Sequence, residues 1–142
     1  MAPTDRSAFF WQFQDGTLPA PPAAVTLGIA ILEVSPEAGT IRVEFEGRPE
    51  FTNPVGNIQG GFLAAMLDDT MGPALAATLG AGEFAPTLNL NVSFVKPARV
   101  GKLQGQGRVV KRGREVCHLA GELYQGGELI ASATATAIIR HA

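Results

Sequence analysis

Ile58-Gln59-Gly60-Gly61-Phe62-Leu63-Ala64-Ala65-Met66-Leu67-Asp68-Asp69-Thr70-Met71-Gly72-Pro73-Ala74-Leu75-Ala76-Ala77-Thr78-Leu79 is the long helical candidate in the body of the chain, and its apolar residues run around all sides. A helix with no polar face needs cover on every side. The flanking sequence supplies strands. Thr40 to Glu46 alternates, with Ile41, Val43 and Phe45 on one face, and the β-branched, apolar run Val25 to Val34 precedes it across a turn at Pro36 to Gly39. Beyond the helix, Leu88, Leu90, Val92 and Phe94 alternate with Thr87, Asn89, Asn91 and Ser93, which predicts a half-buried strand ending at Pro97. Leu103 to Lys111, Glu115 to Tyr124 and Glu128 to Ile139 follow, separated by Arg112-Gly113 and Gly126-Gly127, and read as an antiparallel meander.

The inner face of that meander is made of small residues. Ala131, Ala133, Ala135 and Ala137 share one face of the last strand, and Gly105, Gly107, Cys117 and Gly121 fall on the matching face of its neighbours. Small side chains there let a helix come close. The expected architecture is therefore α+β, a long central helix wrapped by a curved antiparallel sheet of roughly six strands. Sheet edges must still be blunted, so edge-to-edge pairing of two subunits makes a homodimer the minimum expectation. Ser7 to Gln14 reads as a short aromatic helix, with Ser7 as cap and Gly16 as stop, joined by the linker Leu18 to Pro22. Residues 1–22 are thus an N-terminal helix and linker, and residues 23–142 the main domain. Phe9, Phe10, Trp11 and Phe13 serve either as packing or as cover for a ligand pocket.

Composition removes several function classes. Lys and Arg total 11 against 13 Asp and Glu, a net charge of −2, which lacks the basic stripe that nucleic acid requires. The lone Cys117 excludes an internal disulfide, and with only His118 and His141 beside it no metal site is expected. Both Cys117 and His118 read as structural. Asp68, Asp69, Gly72 and Pro73 interrupt the longest apolar stretch, so no membrane span is expected. Met1 to Gly16 scatters Asp5, Arg6 and Asp15 among aromatics, with no basic region leading into an apolar run, and the expected location is cytoplasmic.

Chemistry concentrates between Asn53 and Asp69. Gly60-Gly61 opens the helix, where unpaired amides and the helix dipole can hold a developing oxyanion, with Gly60 as the donor. The same glycines would also serve tight packing of helix on strand. Asp68 and Asp69 lie inside an apolar helix, a costly place for a carboxylate without a task. Asp68 is about two turns beyond Gly60, roughly 12 Å along the axis at ~1.5 Å per residue, too far for both groups of one chain to hold the same atom. A second subunit could bring them together. Asp69 is the alternative carboxylate, or a bend partner of Pro73, whose ring removes the hydrogen bond to its carbonyl.

The run Asn53, Gly56, Gln59-Gly60-Gly61 and Asp68 resembles the site pattern of the hot-dog-fold acyl-CoA thioesterases of the phenylacetate-degradation type, and the resemblance extends over nearly all of the body of the chain. It implies hydrolysis of acyl-CoA to free acid and coenzyme A, without metal or cofactor. By the same resemblance, Gly60 polarises the thioester carbonyl, Asp68 acts as nucleophile or as base on a water, and Asn53 orients that water or the carbonyl. Thr87, at the start of the strand after the helix, becomes an auxiliary. Gln59 departs from the pattern, since the family's usual residue there is His. A glutamine can donate to a thioester oxygen but does not titrate near neutrality. Gly61, Lys96 in Lys96-Pro97-Ala98-Arg99, and Lys111-Arg112-Gly113-Arg114 are the candidates for binding coenzyme A, the basic groups through its phosphates. Family habit implies a homotetramer built from dimers. Two other readings compete: a hot-dog hydratase or dehydratase, which needs a histidine where Gln59 stands, and a non-catalytic acyl-CoA sensor, which gains nothing from a buried carboxylate.

Overall fold

The computed structural model describes residues 5–142; the first four residues of the predicted N-terminal segment lie outside them. The central helix, α3, spans Gly60–Ala76. Before it come the helices α1 (Phe9–Asp15) and α2 (Pro22–Leu27), the strands β1 (Ala30–Ser35) and β2 (Thr40–Gly47), and a 3-10 turn at Pro49–Phe51. After it come β3 (Glu83–Phe84), β4 (Thr87–Phe94), β5 (Gly101–Arg112), β6 (Val116–Gln125), β7 (Glu128–Ile138) and β8 (Arg140–His141). Six strands form one antiparallel sheet in the order β1-β2-β5-β6-β7-β4, and β3 pairs with β8 in a separate ribbon. The expected α+β arrangement, a helix wrapped by six strands, is the hot-dog fold.

Close contact between α3 and the sheet depends on the small inner residues. A Cβ on Gly105 would stand 2.6 Å from Thr70 Oγ1, one on Gly107 3.0 Å from the carbonyl of Thr70, and one on Gly121 2.9 Å from Met71 Cγ. Thr70 itself is fully buried and returns its hydroxyl to the carbonyl of Met66 at 2.7 Å. Met66, Leu67, Met71 and Leu75 on α3 join Val43, Phe45, Leu103 and Leu123 from the sheet, all fully buried, in one core. The hairpin between β6 and β7 turns at Gly126 and Gly127, both at positive φ (58° and 80°), as a two-residue reversal demands.

Three expectations need correction. The run Val25 to Val34 is not one strand: Val25 to Leu27 belong to α2, which begins on Pro22 with its preset φ and stops at Gly28 in the left-handed region. Ser7 does not cap α1; Ala8 holds that position, and the Ser7 hydroxyl is taken by Asp5 Oδ1 at 2.6 Å. The strand Thr87–Phe94 is less buried than its alternation predicts. It is an edge strand bonded only to β7, so Leu88 and Phe94 remain 59% and 55% exposed. α1 docks on the end of α3 through Phe10 and Trp11, the indole nitrogen donating to the carbonyl of Ala77 at 3.2 Å. Among the described residues no helix is long and apolar enough to cross a membrane.

Candidate active site

The loop from Asn53 to Asn57 is closed by Asn53 itself. Its Oδ1 accepts the amides of Val55 and Asn57, both at 3.1 Å, while its backbone amide donates to the carbonyl of Asn57 at 2.8 Å. Gly56 makes the turn possible with φ 86°. The amide nitrogen of the Asn53 side chain makes no hydrogen bond among the described residues. The chain then enters α3 through Gln59, whose carbonyl accepts the amides of Phe62 and Leu63. Gly60 and Gly61 precede the first intrahelical bonds, and no acceptor among the described residues meets their amides. Phe94 lies close to Gly60, where a Cβ would stand 3.1 Å from the ring and the aromatic would have to shift.

Asn53, Asn57, Gly60, Phe94 and Lys96 line one cavity of about 430 Å³. Gln59 is exposed beside it without lining it, and Gly61 is also exposed. Asp68 is elsewhere, exposed on the β4 side of α3, where Thr87 Oγ1 donates to its Oδ1 at 2.8 Å. Within one chain the candidate catalytic residues therefore form two groups, Asn53 with Gly60 and Asp68 with Thr87. Gly60 and Asp68 stand eight positions apart on the helix. Thr87, expected only as an auxiliary, thus contacts Asp68 directly, while Asp68 and Gly60 do not meet within a single chain.

Asp69, one position on, faces differently. About 100° around the helix from Asp68, it lines a crevice beneath α1 with Phe10, Phe13 and Pro73, and its Oδ2 is buried with no partner among the described residues. Burial, and secondarily the charge of Asp68, raises the Asp69 carboxyl from 3.8 to about 6. The sequence offers Asp69 only as an alternative carboxylate or a bend partner of Pro73. The crevice depends on α1, some 60 positions away, and no local pattern announces it.

The basic candidates are not neighbours. Lys96 lies at the Gly60 end and is engaged by Glu128, whose carboxyl is held below its ordinary value by that contact. The turn carrying Lys111, Arg112, Gly113 and Arg114 lies at the opposite end of α3, where Arg112 Nε donates to Thr78 Oγ1 at 3.1 Å. Roughly 24 Å of helix separates the two in one chain. The strand that leads to Lys96 is not the neighbour of the β5–β6 hairpin, because β7 stands between them. Gly113 has its own structural reason: a Cβ there would meet the carbonyl oxygen of Val116 at 2.2 Å. Cys117 is buried, its thiol pushed up by burial, and His118 is exposed on the next position of β6. His141 pairs with Glu83 at 3.4 Å in the β3–β8 ribbon. Neither histidine lines the cavity with Gly60.

Residues 55–132 match the family model described as "Thioesterase superfamily". A phenylacetic acid degradation-related protein of Ralstonia eutropha is 46% identical, with 92% of this chain and 98% of that one covered and a TM-score of 0.90. Two more distant structures share the fold. The thioesterase HI1161 of Haemophilus influenzae is 21% identical over 88% of this chain and 87% of its own, with TM-score 0.79. The PaaI protein of the E. coli phenylacetic acid degradation operon is 20% identical over 91% of each chain, also with TM-score 0.79. No curated protein matches the chain. With its family match over residues 55–132, its likeness to the Ralstonia eutropha protein and a helix-in-sheet architecture that is the hot-dog fold, the chain belongs to the thioesterase superfamily and is an enzyme with thioesterase activity.

Proposed function

We propose that the enzyme hydrolyses acyl-CoA thioesters at a site shared between two subunits, with Gly60 of one chain and Asp68 of the other. The observation that carries this reading is the 2.8 Å hydrogen bond from Thr87 to Asp68, which fixes one carboxylate oxygen and leaves the other for chemistry. A thioester carbonyl is electrophilic and its thiolate leaves readily, so the remaining needs are an oxyanion donor and an activated oxygen. As general base, Asp68 takes a proton from water while the water oxygen bonds to the carbonyl carbon. The carbonyl electron pair moves onto oxygen, which the Gly60 amide stabilises. Collapse breaks the carbon–sulfur bond, and the departing thiolate takes up the proton. As nucleophile, Asp68 would form an anhydride that water then cleaves; both routes need the same carboxylate. Asn53 contributes through its free side-chain amide, and Gln59 donates to the substrate without titrating.

Shared geometry also makes sense of the basic turn. In an antiparallel pairing that sets Gly60 beside Asp68 of the partner subunit, the partner's Ala76 falls roughly 12 Å beyond Gly60, with the turn Lys111 to Arg114 close by. Phosphates held by the partner's turn and a thioester held at Gly60 are then joined by an extended arm of that order. The edge strand β4, with Leu88 and Phe94 exposed, is the natural seam for the dimer, and dimers pair into a tetramer. The enzyme acts in the cytoplasm, with residues 1–22 attached to a catalytic unit of residues 23–142.

Free thiol released from a panel of aryl and straight-chain acyl-CoAs tests the reading. Asp68→Asn is expected to lower kcat by on the order of 10³, and Gly60→Ala, which keeps the amide but sets a Cβ 3.1 Å from the Phe94 ring, to lower it by crowding the approach of the carbonyl. Mixing Asp68→Asn chains with Gly60→Ala chains should restore part of the activity, because one of the two sites in such a heterodimer is intact. No turnover with any acyl-CoA refutes hydrolysis, and no recovery on mixing refutes the shared site.

A further inference from the structure

α1 is built to be held by packing and not by its own stability. It has seven residues and no side chain caps its N-terminus, and a helix this short is marginal in water unless packing supports it. Ala8, Phe10 and Trp11 cluster on Ala77, and Asp5, just ahead of the helix, accepts the amide of Ala81 at 2.9 Å. Behind it, Gly16 stands at φ 78° and leads into a linker that carries Pro19 and Pro21.

The crevice between α1 and α3 measures about 380 Å³ on the side of Phe84 and Ala85 and about 240 Å³ on the side of Ile29 and Ile31, and Phe10, Phe13, Asp69 and Pro73 line both. Asp69 Oδ2 is buried there without a donor among the described residues. No cation lines the space with it. α1 presents phenylalanine rings and Gln14, the stretch from the linker to β1 presents apolar side chains, and the other charged residue of the lining is Glu83 of β3. Glu83 is itself acidic and pairs with the exposed His141 of β8 at 3.4 Å. The charge beside Asp69 on α3 is Asp68, acidic again. Burial first, and the charge of Asp68 second, raise the Asp69 carboxyl from 3.8 to about 6. Protonated, the carboxyl lies neutral among the rings. Ionised, it is an unpaired charge shut beneath α1, a costly arrangement that water relieves once the helix lifts.

We propose that α1 is a strap over α3 whose hold loosens when Asp69 gives up its proton, so that the crevice opens more readily in neutral than in mildly acidic solution. Between pH 3.8 and about 6 the docked form keeps a proton that the lifted form has released. Docking therefore weakens as pH rises through that window, and this group adds no further slope above it. A difference of about two units caps the change in the docking equilibrium at about a hundredfold. The share due to Asp68 persists when α1 lifts, and the lower part of the window lies below pH 4.5, so roughly tenfold is expected from there to pH 7.5.

Amide hydrogen exchange of the full chain, read by mass spectrometry at pH 4.5 and pH 7.5 and at one protein concentration, tests the strap whether or not any thioester is turned over. Each rate is divided by the intrinsic rate at its pH, and the peptide over Phe9–Asp15 is compared with one from β6 in the core. In the wild type α1 should be less protected than β6 at both pH values, and its protection should fall about tenfold from pH 4.5 to pH 7.5. In Asp69→Asn and Asp69→Leu the protection of α1 should be the same at both pH values, while His141→Gln should keep the wild-type fall. Three results overturn the proposal. One is a wild-type α1 whose protection does not change with pH. Another is an α1 as protected as β6, which would open only when the whole chain unfolds. The third is a fall that survives both Asp69 variants or disappears with His141→Gln, which assigns the effect to the Glu83–His141 pair.

Discussion

Replacing Asp69 with Asn should stabilise the protein at neutral pH, and the gain should vanish on acidification. Burial, reinforced by the charge of Asp68, holds the Asp69 carboxyl at about 6 instead of 3.8. A rise of about two units corresponds to roughly 3 kcal/mol, and because the side chain keeps some solvent contact we expect a gain on the order of 2 kcal/mol. The sign follows from proton counting. Between pH 3.8 and about 6 the folded protein holds a proton that the unfolded chain has released, so stability falls as pH rises through that window and this group adds no further slope above it. Glu83, the other carboxyl on the crevice, accepts the Gly80 amide at 2.7 Å and pairs with His141. Its contribution is common to both proteins. Urea unfolding at pH 4, 5, 6, 7 and 8, at one fixed protein concentration because assembly adds to stability, measures the difference. Asp69→Asn should exceed the wild type most at pH 8, and the curves should converge towards pH 4. A constant gap, or a variant less stable at pH 8, refutes the reasoning.

Thr87→Ala removes the donor to Asp68 and should lower kcat about tenfold with KM nearly unchanged, as steady-state thiol release would report. Two glycine substitutions should act in opposite directions in thermal unfolding. Gly105→Ala pushes a methyl to within 2.6 Å of Thr70 Oγ1 and should cost about 1–3 kcal/mol. Gly72→Ala enters open space on a helix and should add roughly 0.5–1 kcal/mol. Combined alanine replacement of Lys111, Arg112 and Arg114 should raise KM for acyl-CoA about tenfold and leave the matching acyl-pantetheine unaffected. Equal effects on the two substrates would remove this turn from phosphate binding.

Much of the fold was legible because its main elements follow simple periods. The strand pattern of Thr40 to Glu46, the meander after Leu103 and the all-round apolar helix each point to the same wrapped arrangement. The stretch from Val25 to Leu27 misled because apolar, β-branched composition outweighed a framing pair, Pro22 at the first helical position and Gly28 just past the last. The ribbon of Glu83–Phe84 with Arg140–His141 is two residues long on each side and carries no period to read. In the candidate site, the distance from Gly60 to Asp68 was legible because helix rise is fixed. Thr87 was suggested only by the family resemblance, and its bond to Asp68 could not be read from spacing. The engagement of Lys96 by Glu128 and the seclusion of Asp69 under Phe10 and Phe13 depend on contacts between distant segments, which spacing does not encode.

The edge position of β4 has a consequence for how the chain is made. Its sole sheet partner is β7, with Phe94 opposite Ala131 and Thr87 opposite Ala137, so each residue of β4 leaves the ribosome some 37 to 50 residues before the one it will pair with. At about 5–20 residues per second, β4 waits for several seconds with Leu88, Leu90, Val92 and Phe94 unsheltered. α3 waits with it, since β5, β6 and β7 have yet to emerge.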